Sequence, residues 1–185
     1  MIRILQQYSG LRRTLQTCAA TTAVFLALAG FGLYLRLTTP DWPTPFQFGS
    51  LLMAVAMTSF ALCASVAAEL GARVSRDEEA EPSVRWIAIA ISCWLVFLFL
   101  EIVEWVRLIF LVDLGHNTPF GRAHLSLTGF HWVAVLGSVG WLTWTVVDVR
   151  QRAPFSAALF AHCLNVLWLI VVCLMYFSNA SLSGF

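Results

Sequence analysis

The chain reads as an all-α integral membrane bundle of five transmembrane helices, and three observations lead there. Of its 185 residues, 59% are hydrophobic and the mean hydropathy is +0.80, whereas an ordinary soluble domain is about half apolar. The apolar residues fall into five blocks, each close to the roughly 20 residues needed to cross a hydrocarbon core. Proline and charged residues gather between the blocks, where helices are expected to stop. The remaining polar sequence is too short for a separate soluble domain, so residues 1–185 form a single membrane domain. The formal net charge of +1 argues neither for a nucleic-acid partner nor for acidic substrates.

The first span is expected at about 17–35. The segment before it carries Arg3, Arg12 and Arg13. It resembles the positive start of a signal peptide, but the apolar run exceeds the usual signal core and no small-residue cleavage site ends it, so it reads as the flank of a retained helix. Pro40, Asp41, Pro43 and Pro45 form the first connection. The second span, about 49–72, is rich in Ala, Ser, Thr and Gly, which let helices approach closely in lipid; it reads as an internal packing helix. The most charged connection, 73–85, follows, with Asp77, Glu78, Glu79 and Glu81 among its arginines. The third span is expected at 86–112. A polar loop at 113–122 leads to the fourth, at 123–147, and a tight turn at 148–154 leads to the fifth, at 155–177. No internal repeat is evident, which disfavours an inverted-repeat transporter.

Arginine sets the expected orientation. All eleven basic residues are arginine, which reads as coding bias. Arg3, Arg12, Arg13, Arg73, Arg76, Arg85, Arg150 and Arg152 fall on one side of the five-span arrangement, against Arg36, Arg107 and Arg122 on the other. Basic residues are retained on the cytoplasmic side and acidic ones count for little. The N-terminus is therefore expected in the cytoplasm and the C-terminus outside, in a bacterial inner membrane.

Ionisable groups inside the spans are expensive and count as functional-site candidates, or as partners that neutralise each other. Glu101 and Glu104 are spaced i, i+3 on one face, with Arg107 a turn further along. His131 lies a similar distance into the next span, entered from the same side. A polar clasp of Glu101 or Glu104 with His131 is therefore expected, and such pairing lowers the cost of burying either group. A proton-relay role for these groups is the sharper alternative. A carboxylate-bridged metal bundle would want Glu-x-x-His motifs, and the sequence has none. His162, near the inner end of the fifth span, is expected at another depth than His131 and in an interhelical hydrogen bond. The five cysteines lack C-x-x-C spacing and read as buried thiols serving as small hydrophobes. Trp42 and Trp86 lie at span ends as belt residues, and Trp94, Trp141 and Trp144 lie deeper as packing surface.

Three motifs carry a family resemblance. Thr128-Gly-Phe-His131, including Gly129 and Phe130 and followed by Gly137 and Ser138, resembles the Thr-Gly-Phe-His-Gly-x-His run of subunit III of the haem-copper oxidases. Glu104-Trp105 is similar to that family's Glu-Tyr or Glu-Trp pair one loop earlier. His162-Cys-Leu-Asn165-Val-Leu-Trp168 resembles its last-helix run, His-Phe-Val-Asp-Val-Val-Trp. The chain departs from the pattern at Ala134, in place of the second His, at Asn165, in place of the Asp, and in a first span without a carboxylate. These departures suggest a divergent branch of the five-helix bacterial form, such as the subunit-III-like proteins associated with nitric oxide reduction.

The resemblance implies an accessory, non-catalytic subunit of a bacterial terminal oxidase in aerobic respiration. Such a subunit binds no haem or copper itself, holds phospholipid, packs beside the catalytic subunit and helps to sustain turnover. The alternative from another class is a small b-type cytochrome that carries electrons through a haem bound by His131 and His162.

Overall fold

The computed structural model describes residues 2–39, 42, 50–75, 80–111, 113–147 and 154–177, with side chains in the first helix from Leu11 onward. The first proline-rich connection, apart from Trp42, lies outside these residues, as do Arg76 and residues 77–79, Asp148, Arg150, Arg152 and the tail from 178. Among the described residues the chain is helical, without strands. Helix α1 spans Ile2–Thr38, α2 Ser50–Val74, α3 Ala80–Val106, α4 Pro119–Val147 and α5 Pro154–Val172; α3 and α5 each continue into a π-helical turn, Arg107–Leu111 and Cys173–Phe177. All five helices are long and apolar enough to cross a membrane.

The helix starts follow local chemistry. Pro119 and Pro154 each open a helix, where the missing N–H costs nothing and the fixed φ already suits the first turn. Thr118 caps α4: its hydroxyl oxygen accepts from the Gly121 N–H at 2.9 Å, satisfying one of the free amides of the first turn. The fourth helix thus begins four residues before the expected start at 123, inside the segment read as loop.

The end of α3 is equally specific. Asp113 takes a left-handed conformation, φ 55°, and the Leu114 N–H returns to the Leu108 carbonyl at 2.9 Å. This is a left-handed helix cap of the Schellman kind, widened by one residue because the last turn is already π-wound. The connection leaves no room for a side chain at Gly121. A Cβ there would run into the backbone carbonyls of Gly115 and Leu114, so glycine permits the close approach of α4 to the loop.

Buried positions recur at alternating steps of four and three. On α3 and its π turn they include Ser83, Ile87, Ala90, Trp94, Phe97, Glu101, Glu104 and Leu108, with Leu98 buried beside this stripe; on α4 they include His124, Thr128, His131, Val135, Ser138, Leu142 and Thr145. An average step of 3.5 residues is the seam of left-handed helix packing. Helix α2 meets α3 and α5 through small residues, Ala54, Ala61, Ala64, Ala68 and Ala72. Gly71 sits so close to α3 that an added Cβ would lie 2.9 Å from Ile87, and the Ser83 hydroxyl donates to the Gly71 carbonyl at 2.9 Å.

The small-residue reading of α2 therefore locates its seam but not the centre of the bundle. The innermost helix is α5, with 56% of its most apolar stretch buried against 39% for α2 and 17% for α1. Helix α5 packs on α1, α2 and α4, while α3 packs on α2 and α4 and α1 on α4. Its buried side chains, such as Ala158, Ala161, Leu164, Leu167, Trp168 and Val171, cover more than a single stripe. The outward surface is apolar, with Leu52, Phe99, Val133, Trp144 and Val166 all well exposed, as lipid-facing positions should be. The five cysteines are free thiols on this surface or half-buried, not core residues. Trp94 is fully buried; Trp141 is half-buried against Phe160, 5.8 Å away.

Candidate functional site

The buried faces of α3, α4 and α5 converge on a polar core at the end of the bundle where α3 turns into α4. Glu104 is its anchor. The Arg107 Nε and Nη2 donate to the two Glu104 carboxylate oxygens, each at 2.8 Å. Glu104 is 1% exposed and Arg107 21%. A bidentate guanidinium–carboxylate pair is the arrangement best able to offset the desolvation of both charges. Its partners are one turn apart on one helix, so α3 brings its own counter-ion into the membrane interior.

His124 of α4 and Tyr176 of α5 complete this level, both within electrostatic reach of Glu104 and Arg107. Their side chains meet at 3.5 Å between the Tyr176 hydroxyl and His124 Nε2, and His124 stacks on Phe120. Beside them the Trp105 indole N–H donates to Thr128 Oγ1 at 2.8 Å, and that hydroxyl donates in turn to the His124 carbonyl at 2.7 Å. From α1, Arg36 donates to the Leu174 carbonyl at 3.4 Å, inside the π turn that ends α5.

The next level inward is aromatic. The rings of Phe97, His131 and Trp168 contact one another at centroid distances of 4.9–5.4 Å. His131 Nε2 lies 3.1 Å from the Leu164 carbonyl; a carbonyl can only accept, so Nε2 carries the hydrogen. The Trp168 indole donates to Thr58 Oγ1 at 2.9 Å, and the Asn165 amide donates to Ser65 Oγ. Helix α5 is thereby hydrogen-bonded to both α4 and α2.

The expected clasp is not formed. Glu104 is taken by Arg107, and His131 by Leu164. Both Glu101 oxygens and His131 Nδ1 are buried without a hydrogen-bond partner among the described residues. The reason is register. With α4 beginning at Pro119, His131 is twelve residues into its helix and Glu104 seven from the end of its own, a mismatch of about 7 Å at 1.5 Å per residue. Glu104 therefore stands at the level of His124 and Thr128, and His131 at the level of Phe97.

His162 also departs from expectation. Its depth is close to that of His131, since the carbonyl His131 contacts belongs to Leu164, two residues on. What separates the two histidines is direction. His131 faces the core, whereas His162 is 45% exposed and stands 3.9 Å from Glu69 of α2, an ion-pair distance and not a hydrogen bond. Glu69 also accepts from Arg73 at 2.9 Å. Of the other motif positions, Phe130 leans on Phe25 of α1 at 6.4 Å, and Gly129 is half-buried with nothing near the place of a Cβ. Among the described residues no group of three or more His, Cys, Asp or Glu is placed to hold a metal ion.

Sequence reasoning missed His124, Tyr176, Ser65 and Thr58. His124 was within reach: it lies seven residues before His131 and four before Thr128, on the same stripe. Tyr176 and the α2 hydroxyls have no such local signal, because their roles depend on where α5 sits. Comparison of the chain with protein-family models and with curated proteins finds no match in either set.

Proposed function

We propose that the chain is an accessory, non-catalytic subunit of the subunit III kind, serving a bacterial haem-copper terminal oxidase or a related nitric-oxide-reducing complex. One observation supports this reading most. The three sequence segments that carry the resemblance, on α3, α4 and α5, meet in a single buried network: Glu104–Trp105 reaches Thr128, and His131 rests on Leu164 and Trp168. Segments that pack together are constrained together, so a shared ancestry would leave its trace on them as a set. The polar groups of this network hold helices to one another, which suits a protein that shapes and supports a neighbour.

The reading carries an orientation. With eight arginines on one side and three on the other, the N-terminus lies in the cytoplasm and the C-terminus outside. Reporter fusions in the α2–α3 connection and after Ser183 then report opposite sides. The catalytic subunit and phospholipid are the proposed partners.

Co-purification in mild detergent tests the function. The chain is expected to bring down a larger haem-containing membrane protein, while showing no haem absorption when purified alone. Its removal from the complex should shorten sustained turnover more than it lowers the initial rate. A haem spectrum that stays with the isolated chain and disappears on replacing His131 or His162 would overturn the proposal in favour of an electron carrier.

A further inference from the structure

We propose that Cys18 of α1 and Cys163 of α5 are a reversible dithiol site within the bilayer, which a lipid-soluble quinone oxidises to a disulfide joining the two helices. The register of the helices brings the thiols together. Helices α1 and α5 run parallel, with Thr22 beside Cys163 and Arg36 beside Leu174. Thr22 Oγ1 lies 3.6 Å from the Cys163 sulfur, and Cys18 stands one turn before Thr22 on the same face of α1. The Cys18 and Cys163 side chains interact directly. Cys18 is seven residues past the start of its span at Leu11, and Cys163 eight past Phe155. Both therefore lie about 10–12 Å deep at 1.5 Å per residue. Both are half-buried, so each keeps part of its surface open to lipid.

The surroundings select the chemistry. Among the described residues, Cys163 is the one titratable partner that acts on Cys18, so no cation is at hand to stabilise a thiolate. An uncharged product is favoured in hydrocarbon, and a disulfide is one. The oxidant must reach this depth and take protons with the electrons, because a proton released into hydrocarbon is as costly as any other charge. A quinone does both. Two S–H bonds break, the S–S bond forms, and two electrons and two protons pass to the quinone oxygens to give the hydroquinone. The water-soluble thiols that keep cytoplasmic cysteines reduced are held off by the same lipid. The disulfide fixes α1, with 17% of its most apolar stretch buried, to α5, with 56%. The inference goes beyond the accessory-subunit reading and does not depend on it.

The test uses the full chain in lipid vesicles exposed to a short-chain ubiquinone, then denatured and labelled with a maleimide. The wild type should lose two of its five reactive thiols, regain them on treatment with dithiothreitol, and yield one hydroquinone per disulfide. Peptide mass spectrometry should find the Cys18 peptide joined to the Cys163 peptide of the same chain. C18S and C163S should each keep their four remaining thiols. C63S breaks the other pair within electrostatic reach, Cys63 and Cys93, and should still lose two. Retention of all five thiols in the wild type would overturn the proposal, as would a loss that dithiothreitol does not reverse. So would a loss that persists in C18S or C163S, or a disulfide found between Cys63 and Cys93 or between two chains instead. Should C18S or C163S fail to fold, the wild-type peptide map decides alone.

Discussion

Glu104 illustrates what a single side chain does here. Glu104 is buried and receives two hydrogen bonds from the partly exposed Arg107, so truncation removes a buried carboxylate that the guanidinium binds. Glu104→Ala should cost about 3 kcal/mol, the lower end of the range for breaking one partner of a buried pair, measured by reversible unfolding in mixed micelles. Trp105→Phe removes only the N–H that reaches Thr128 and should cost about 0.6–1.7 kcal/mol, the range for hydrogen bonds between membrane helices. A loss from Trp105→Phe as large as that from Glu104→Ala would contradict the assignment of Glu104 as the anchor. At this scale the sequence was readable in kind but not in pairing. Glu101, Glu104 and His131 stood out as costly in lipid, and Arg107 lay one turn from Glu104, yet a histidine on another helix was the expected partner. Interhelical pairing depends on a register that no local rule supplies.

Register is decided at the scale of the element, by a few residues between α3 and α4. Thr118 and Pro119 start α4 a full turn before the apolar block begins, and that turn lowers His131 past Glu104. The cue was present, since Thr followed by Pro is a helix start. Gly121 and the exposed Arg122 after it made the segment look like loop, although Phe120 and Gly121 are buried in the first turn of α4. Two substitutions probe this junction. Thr118→Ala removes the cap and should cost about 1 kcal/mol. Gly121→Ala drives a methyl group into two backbone carbonyls and should cost more, about 1–3 kcal/mol, and weaken the Trp105–Thr128 contact, which tryptophan fluorescence can follow. Equal, negligible effects would mean that the junction does not set the register.

For the whole molecule, the number of helices and their lipid-facing character followed from composition and block length, because hydropathy acts residue by residue. The centre of the bundle did not follow. Small residues marked α2 as a packing helix, but α5 is the innermost, and nothing in its own residues announces this. Helix α1 is the opposite case, most exposed and packed on α4 and α5 alone among its principal neighbours. A chain starting at Gln47 should therefore keep the α2–α5 assembly, with its helical content intact and a lowered melting temperature. Collapse of the shortened chain to an aggregate would show that α1 is required for the core.

The central place of α5 has a consequence for how the protein is made. A ribosome delivers α1 to α4 first, and their mutual contacts give a row, α1 beside α4, α4 beside α3, α3 beside α2. Until the last helix arrives, Thr58 and Ser65 lack the indole and the amide that later bond to them, and Phe97 lacks the Trp168 ring. The row is an open trough in the bilayer, and the fifth helix is its keystone. A nascent chain that stops short of Asn165 would therefore hold its first four helices with the inner faces of α2, α3 and α4 turned to lipid.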